Sequence, residues 1–417
     1  MIRYFGIDVH KKTAHVSMLD STGSPMKQFT LQVERESLEM FGRALTQEDK
    51  VVLEATTNTW AVYRIISKYT PDVTISNPLR TKAIAQAKIK TDKVDSFVLA
   101  KLLHAGFIPS VWVPDETTLK LRRLVSNHES LVRRRTKTKN RIHSVLHQNL
   151  IQHPYTNLFG KSGMAWLKQT LETLPEFDRQ QIECELRLLS HIEKELECDK
   201  KHLAKESYPD ERVRLLMTIP GVDFTVALCL ISAIGDVSRF PEPDKLASYV
   251  GVVPRVRQSA NHCYTGRITK QGRSLARWMI IEAAQHVSRG YGPLSNFYRR
   301  IKKKKGHNVA VVAVARKLLV IVWHMLTKSE PYRYAMPRSL NEKLFKLRRL
   351  ATGIKKKTGP KPGTPPSENR KTGKRVKFSK TLKMVLQEAN LPSPAPVSNG
   401  ELRYLSRIHY PVERLTN

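Results

Sequence analysis

Four carboxylates in the first hundred residues have types and spacings that suit chemistry. Asp8 in FGIDV and Glu54 in VVLEA each interrupt an otherwise apolar run, and Asp92 and Asp95 stand three apart in KIKTDKVDS. A carboxylate inside an apolar strand is costly unless a cation or hydrogen bonds compensate it. A spacing of three on a helix places both side chains on one face. Four converging carboxylates repel one another unless cations lie between them. Oxygen ligands suit Mg²⁺ or Mn²⁺, and such ions stabilise the attacking and leaving oxygens of a phosphodiester displacement. Taken singly, Asp92 and Asp95 read as solvated helix charges among lysines, and a lone acid in a strand as an edge or turn feature. His10 follows Asp8 by two and shares its face by strand alternation, with Lys11 beside it. The imidazole either approaches a metal or phosphate or makes a structural hydrogen bond.

These acids need elements to hold them. RYFGIDVHKK, TAHVSMLD and MKQFTLQV read as three strands separated by turn-prone segments such as DSTGSP, an antiparallel meander. An amphipathic helix follows in ESLEMFGRALTQ, then an apolar strand in KVVLEAT and a helix through WAVYRIISKY. A short strand, DVTIS, and a helical run from Lys82 to Leu103 complete the series. The order βββαβαβα is that of the RNase H-like fold. There the first and fourth strands are neighbours and the last helix packs beside them, so Asp8, Glu54, Asp92 and Asp95 would meet. The fold class expected is α/β in this part and all-α beyond it.

With 72 Lys and Arg against 37 Asp and Glu, the 417 residues carry a net charge of +35. That excess points to a polyanionic partner and to salt-sensitive phosphate binding, without separating DNA from RNA. An apolar content of 40% supports two or three domains with real cores. Cys184, Cys198, Cys229 and Cys263 form no CxxC pair, which argues against a zinc site or disulfide framework and fits a reducing cytoplasm. The start MIRYFGIDV lacks a signal-peptide pattern. The apolar stretch from Val309 to Leu326 approaches membrane length, but Arg316 and Lys317 at its centre mark it as a buried helix, so no membrane partner is expected.

From Thr117 to Lys205 the chain is charged and helical in pattern. Ile182, Leu186, Leu189, Ile192 and Leu196 recur at three and four, as in long helices packed on each other or on a second subunit. After Pro209, LLMTIPGVDFTVALCLISAIGDVSRF reads as two helices around an IPGV turn. It resembles a helix-hairpin-helix, whose turn at Gly221 can offer backbone N–H groups to a phosphate. SANHCYTGR reads as a polar surface loop in which Ser259 caps or turns. From Lys343 to Lys380 there are 14 Lys and Arg and one acid, Glu368, the composition of a flexible, phosphate-seeking arm.

The runs GIDVHK, VLEAT and KTDKVDSFVLAKLL, in that order and spacing, resemble the N-terminal DEDD domain of insertion-sequence transposases of the IS110 family. The resemblance covers about residues 2–105 with no acid missing. Further on, KLASYVGVVPRVRQSANHCYTGRITKQGRSLARWMIIEAA is similar to that family's C-terminal transposase domain, with Gly251, Pro254, Ser259, Gly266, Ile268, Thr269, Lys270 and Gly272 as anchors. Many members carry two adjacent serines followed by glycines; here Ser259 stands alone before Ala260 and Asn261.

The resemblance implies a RuvC-like metal domain at 1–110, a helical coiled-coil spacer at 111–208 that helps multimers assemble and contacts nucleic acid, a transposase domain at 209–335, and a basic, partly disordered tail at 336–417. It implies that Asp8, Glu54, Asp92 and Asp95 bind Mg²⁺ or Mn²⁺ and that Ser259 attacks DNA to form a phosphoserine link, the acids and the serine being brought together for cutting. Arg255, Arg257, Arg267 and Lys270 would neutralise the phosphate there; roles for Asn261, His262 and Thr265 stay open. Donor and target DNA, a noncoding guide RNA from the element, and a homo-dimer or tetramer are the implied partners, in a prokaryotic cytoplasm. A Holliday-junction resolvase using the same acids for hydrolysis, and a non-enzymatic nucleic-acid binder, are the alternatives.

Overall fold

The computed structural model describes residues 2–85, 91–259, 262–290, 292–354 and 380–410. The chain divides into two compact units, Met1–Asp115 and Glu116–Asn417.

In the N-terminal unit, β1 (Tyr4–Val9), β2 (Thr13–Leu19) and β3 (Pro25–Gln32) form an antiparallel meander. β4 (Lys50–Glu54) then lies parallel to β1, and β5 (Val73–Ser76) parallel to β4, giving the order β3-β2-β1-β4-β5. Strand alternation divides β1 between two faces. Phe5, Ile7 and Val9 join a core with Leu38 and Phe41 of α1 (Arg35–Arg43) and Val62 and Ile66 of α2 (Thr59–Ile66). Each such side chain contributes about 1.5–3 kcal/mol by leaving water.

Tyr4, Gly6 and Asp8 face the other way, toward α4 (Asp92–His104). That helix lies almost on the strand: a Cβ on Gly6 would meet the Ser96 carbonyl oxygen at 2.1 Å. Ser96 Oγ bonds Ser17 Oγ at 2.8 Å, and Lys101 Nζ donates to the Gly23 carbonyl at 2.8 Å, so α4 is fastened along β2 as well. The helical run expected from Lys82 to Leu103 is not continuous. α3 (Pro78–Ile84) starts where the Asn77 side chain accepts from Arg80 N, and Ala85 turns extended. Residues 86–90 lie outside the described set. Thr91 is extended, and its hydroxyl caps Val94 N at 3.3 Å, so α4 begins at Asp92.

The C-terminal unit opens with two long antiparallel helices, α5 (Glu116–Gln148) and α7 (Glu176–Ser207). Buried or partly buried polar pairs fix their register: His128 Nδ1 to Asp199 Oδ2 at 2.7 Å, Arg141 Nε to Glu185 Oε1 at 2.6 Å, and Asn149 Nδ2 to Asp178 Oδ2 at 2.8 Å. α6 (Lys161–Leu171) closes their far end around Ile142, Leu146, Leu167 and Ile182. The periodic leucines and isoleucines thus pack within the chain, with Ile182, Leu189 and Leu196 buried.

The larger core gathers α8 (Glu211–Leu216), α9 (Phe224–Ile234) and α10 (Pro243–Val250) with α11 (Ser274–Arg289), α12 (Pro293–Lys305), α13 (His307–Lys328) and α14 (Pro337–Thr352). α13 is long and apolar enough to cross a membrane, yet Val311, Val314, Leu318, Leu319 and Val322 are buried in this core. Arg316 of α13 pairs with Asp244 at 3.0 Å. The basic stretch expected to form an arm from Lys343 begins inside α14, whose Leu340 and Leu347 are buried; residues 355–379 lie outside the described set. Beyond it, α15 (Leu382–Glu388) and α16 (Asn399–Arg407) each bury leucines, Leu382, Leu386 and Leu405.

The segment read as a serine loop is a hairpin of β6 (Pro254–Ser259) and β7 (His262–Ile268). Almost every residue in it is exposed, so it lacks the apolar alternation that marks a strand in sequence.

Candidate metal centre and serine hairpin

Asp8 lies at the C-terminal end of β1, where the β1–β2 register sets it opposite His15 and the β2–β3 register sets His15 opposite Thr30. On the other side Ile7 pairs with Leu53 and Glu54 with Ser76. Opposed residues share a face, so Thr30, His15, Asp8, Glu54 and Ser76 make one polar row across the sheet, under the first turn of α4. Asp92 and Asp95 come from that turn. The positive end of the helix dipole favours carboxylates there.

His10 lies just beyond β1, where its backbone N–H donates to Thr13 O at 2.9 Å and Asn58 Nδ2 donates to its carbonyl at 3.2 Å. Its Nε2 is 3.3 Å from Asp8 Oδ2 and 3.2 Å from Asp92 Oδ1. One ligand atom from each of Asp8, His10 and Asp92 fits within 4.8 Å of the others. Lys11 is exposed at the same turn, its carbonyl 3.4 Å from Asn58 Nδ2.

Asp8 is only 4% exposed. Burial pushes its carboxyl above the usual range, and the charges of Asp92 and Asp95 push the same way, against His10 and a hydrogen bond from Glu54. Glu54 and Asp95 therefore act directly on Asp8. A buried acid crowded by two more is the electrostatic setting that a divalent cation relieves, and the donor set fits one.

His15 escaped sequence reasoning. Its Nε2 is 3.5 Å from Asp92 Oδ2 and its Nδ1 3.3 Å from Thr30 Oγ1. The signal was present in TAHVSML: a histidine breaks the apolar strand, and the hairpin register from HKKT sets it opposite Asp8.

In the second unit Ser259 ends β6, directly across from His262. Arg257 is two residues back on the same face, opposite Tyr264. Arg267 and Lys270 do not surround Ser259 as expected. Arg267 is five residues along β7 from His262, about 16 Å away and past the register shift near the hairpin base. Lys270 lies past the base of the hairpin with φ +54, its amide donating to Gly251 O at 3.2 Å. Arg255 is near that base too, its guanidinium 3.4 Å from Thr269 O. Thr265 faces Val256, and Asn261 lies outside the described residues.

Gly221 is exposed in the turn between α8 and α9 with φ +79, where a Cβ would also strike His286 Cβ at 2.5 Å. Only glycine fits this turn.

Residues 5–151 match a family model of DEDD transposases of IS110 elements, described as Transposase. Residues 213–299 match another, described as Transposase IS116/IS110/IS902 family. The chain is 24% identical over 342 residues to the transposase for insertion sequence element IS1111A of Coxiella burnetii, covering 80% of this chain and 92% of that protein. It is 26% identical over 348 residues to the pilin gene-inverting protein of Moraxella bovis, covering 79% and 97%. The transposase for insertion sequence element IS1328 of Yersinia enterocolitica is 23% identical over 340 residues, covering 78% and 97%.

Proposed function

Because this chain belongs to the IS110 family of insertion-sequence transposases, we propose that it cuts and rejoins DNA with an acidic metal centre of Asp8, Glu54, Asp92 and Asp95 and a serine nucleophile, Ser259. The observation that carries the metal centre is the convergence of three carboxylates and His10 on the buried Asp8. The sheet order β3-β2-β1-β4-β5, with α4 on the Asp8 face, supports an RNase H-like, RuvC-like domain over about residues 1–110. The antiparallel α5 and α7 support reading 111–208 as a coiled-coil spacer, with a transposase domain from 209 into whose core α14 and α15 also pack.

Asp8, Glu54, Asp92 and Asp95 would hold Mg²⁺ or Mn²⁺, which when bound polarises the scissile phosphate and stabilises charge on its oxygens. His10 orients Asp8 and Asp92 together, and His15 holds Asp92 from the neighbouring strand. The Ser259 oxygen attacks phosphorus as its proton passes to solvent, the Oγ–P bond forms, the P–O bond to the DNA strand breaks, and the departing DNA oxygen takes a proton from solvent. Reverse attack by a DNA hydroxyl restores the serine and joins the new strand, conserving the bond. Arg257, two residues before Ser259 on the same strand face, would neutralise the phosphate. His10, Lys11, Gly221 and the cations of the hairpin contact nucleic acid. The +35 charge supports binding to polyanions; in this reading the partners are donor DNA, target DNA and an element-encoded guide RNA, bound by a homo-oligomer in the cytoplasm.

The test is strand cleavage on a plasmid carrying the element ends in Mg²⁺. The wild type should leave a protease-sensitive protein–DNA adduct, Ser259→Ala none, and Asp8→Ala or Glu54→Ala no cutting. Normal recombination by Ser259→Ala overturns the serine step and favours hydrolysis of the resolvase kind. Cutting by Asp8→Ala and Glu54→Ala overturns the metal centre. Sequencing of copurifying RNA should recover one structured transcript from the element; its absence at adequate yield removes the guide.

A further inference from the structure

The turn that carries Gly221 has a half-buried cation behind it. Lys343 projects from α14, and its Nζ donates to three backbone carbonyls of one turn: Met217, by a short contact, and Ile219 and Val222, each at 2.9 Å. An ammonium has three N–H donors, and here each has a carbonyl. Met217 and Ile219 follow the end of α8, where backbone carbonyls have no helical partner. The surroundings are otherwise tightly specified. Thr218 Oγ1 donates to Leu215 O at 2.6 Å and accepts from Tyr332 N at 2.8 Å, and Val222 N donates to Ile219 O at 3.2 Å.

Three carbonyl dipoles aimed at one point also describe a site for a partly dehydrated monovalent cation, because carbonyl oxygens replace the hydration shell of an ion of potassium's size. Ammonium and potassium are close in size and charge, and differ from lithium, which keeps its water, and from bulky organic cations, which cannot enter. Burial pushes the Lys343 amine down to about 8, with Asp223 opposing the shift, so the charged form still predominates at neutral pH.

We propose that the carbonyls of Met217, Ile219 and Val222 form a monovalent-cation site that the chain fills with its own Lys343, a tethered ion that fixes the turn in the shape that presents Gly221. Lys343 is thus a positioning residue. The link to phosphate binding rests on the reading of Gly221 given above; the cation site itself does not.

The experiment uses full-length protein at constant ionic strength in chloride salts of potassium, ammonium, lithium and N-methylglucamine. Lys343→Ala should unfold at lower temperature than wild type in lithium and N-methylglucamine and recover most of the loss in potassium and ammonium, while wild type responds alike to all four. Equal behaviour of Lys343→Ala in all four salts overturns the proposal. Lys343→Arg, which keeps the charge on a planar group too wide for the cage, should be destabilised and not rescued. Stability equal to wild type in that variant also overturns it, and it serves where the alanine variant is too unstable to purify. Affinity of Lys343→Ala for a DNA duplex, measured in the same salts, should follow the thermal recovery. If potassium restores stability while affinity stays unchanged across the salts, the cation site stands and the phosphate reading of Gly221 fails.

Discussion

Gly6 lies so close beneath α4 that a Cβ built on it would sit 2.4 Å from the amide nitrogen of Ala100. The helix that delivers Asp92 and Asp95 is held against the strand that delivers Asp8 by the absence of one methyl group. Gly6→Ala should therefore cost about 1–3 kcal/mol in stability, the usual cost of overpacking. It should also lower metal-dependent cleavage beyond what the lost fold explains, because α4 must lift from β1. Activity per folded molecule, with folding followed by circular dichroism, checks this; wild-type specific activity would refute it.

His15 touches Asp92 and Thr30. A group that orients a ligand acts mainly on metal affinity, and losing it typically costs 10–100-fold. His15→Ala should raise the Mn²⁺ concentration for half-maximal cleavage by about that factor while rates at saturating metal change little. An unchanged metal requirement would show that His15 is structural only.

The hairpin register ranks the basic residues around Ser259. Arg257 shares its face, whereas Lys270 lies beyond the hairpin base. Arg257→Ala should reduce adduct formation more than Lys270→Ala does, in single-turnover assays at saturating DNA. The reverse order would contradict the hairpin geometry.

Asp49 supplies a pH signature. Burial alone would raise its carboxyl, but hydrogen bonds from Arg3 and Thr46 N outweigh it and hold the group below the ordinary range. A depressed carboxylate stabilises the fold above its unfolded pKa of about 4 and loses that contribution as pH falls through the lower folded value. Asp49→Asn should destabilise the protein by about 2–4 kcal/mol at neutral pH. Urea midpoints against pH should converge for the two proteins below about pH 4.

Much of the acidic cluster was legible because charge in an apolar strand is conspicuous: Asp8 and Glu54 broke their patterns, and the strand and helix order pointed to one end of the sheet. Gly6 carried no such mark, since its role depends on a helix ninety residues away. His15 looked like one more alternating position until register set it against Asp8. Lys343 was hidden in a basic run, where its neighbours are solvated and it is not. Ser259 was read on a loop because RVRQS and HCYTGRI have no apolar face, and a solvated hairpin leaves no hydrophobic period to detect.

A metal centre built on these acids has a cost that can be measured. Burial, Asp92 and Asp95 raise the Asp8 carboxyl, and a raised acid destabilises the metal-free fold as pH climbs through the raised value. Thermal unfolding of wild type and Asp8→Asn at pH 7.5, with EDTA and then with rising Mn²⁺, tests whether these acids hold a divalent cation. The wild type should gain stability, about 2.7 kcal/mol at a hundred times its dissociation constant. Asp8→Asn should be the more stable protein in EDTA and should not respond to Mn²⁺. A wild type indifferent to Mn²⁺, or an Asp8→Asn variant that gains as much from it, would show that Asp8 holds no metal.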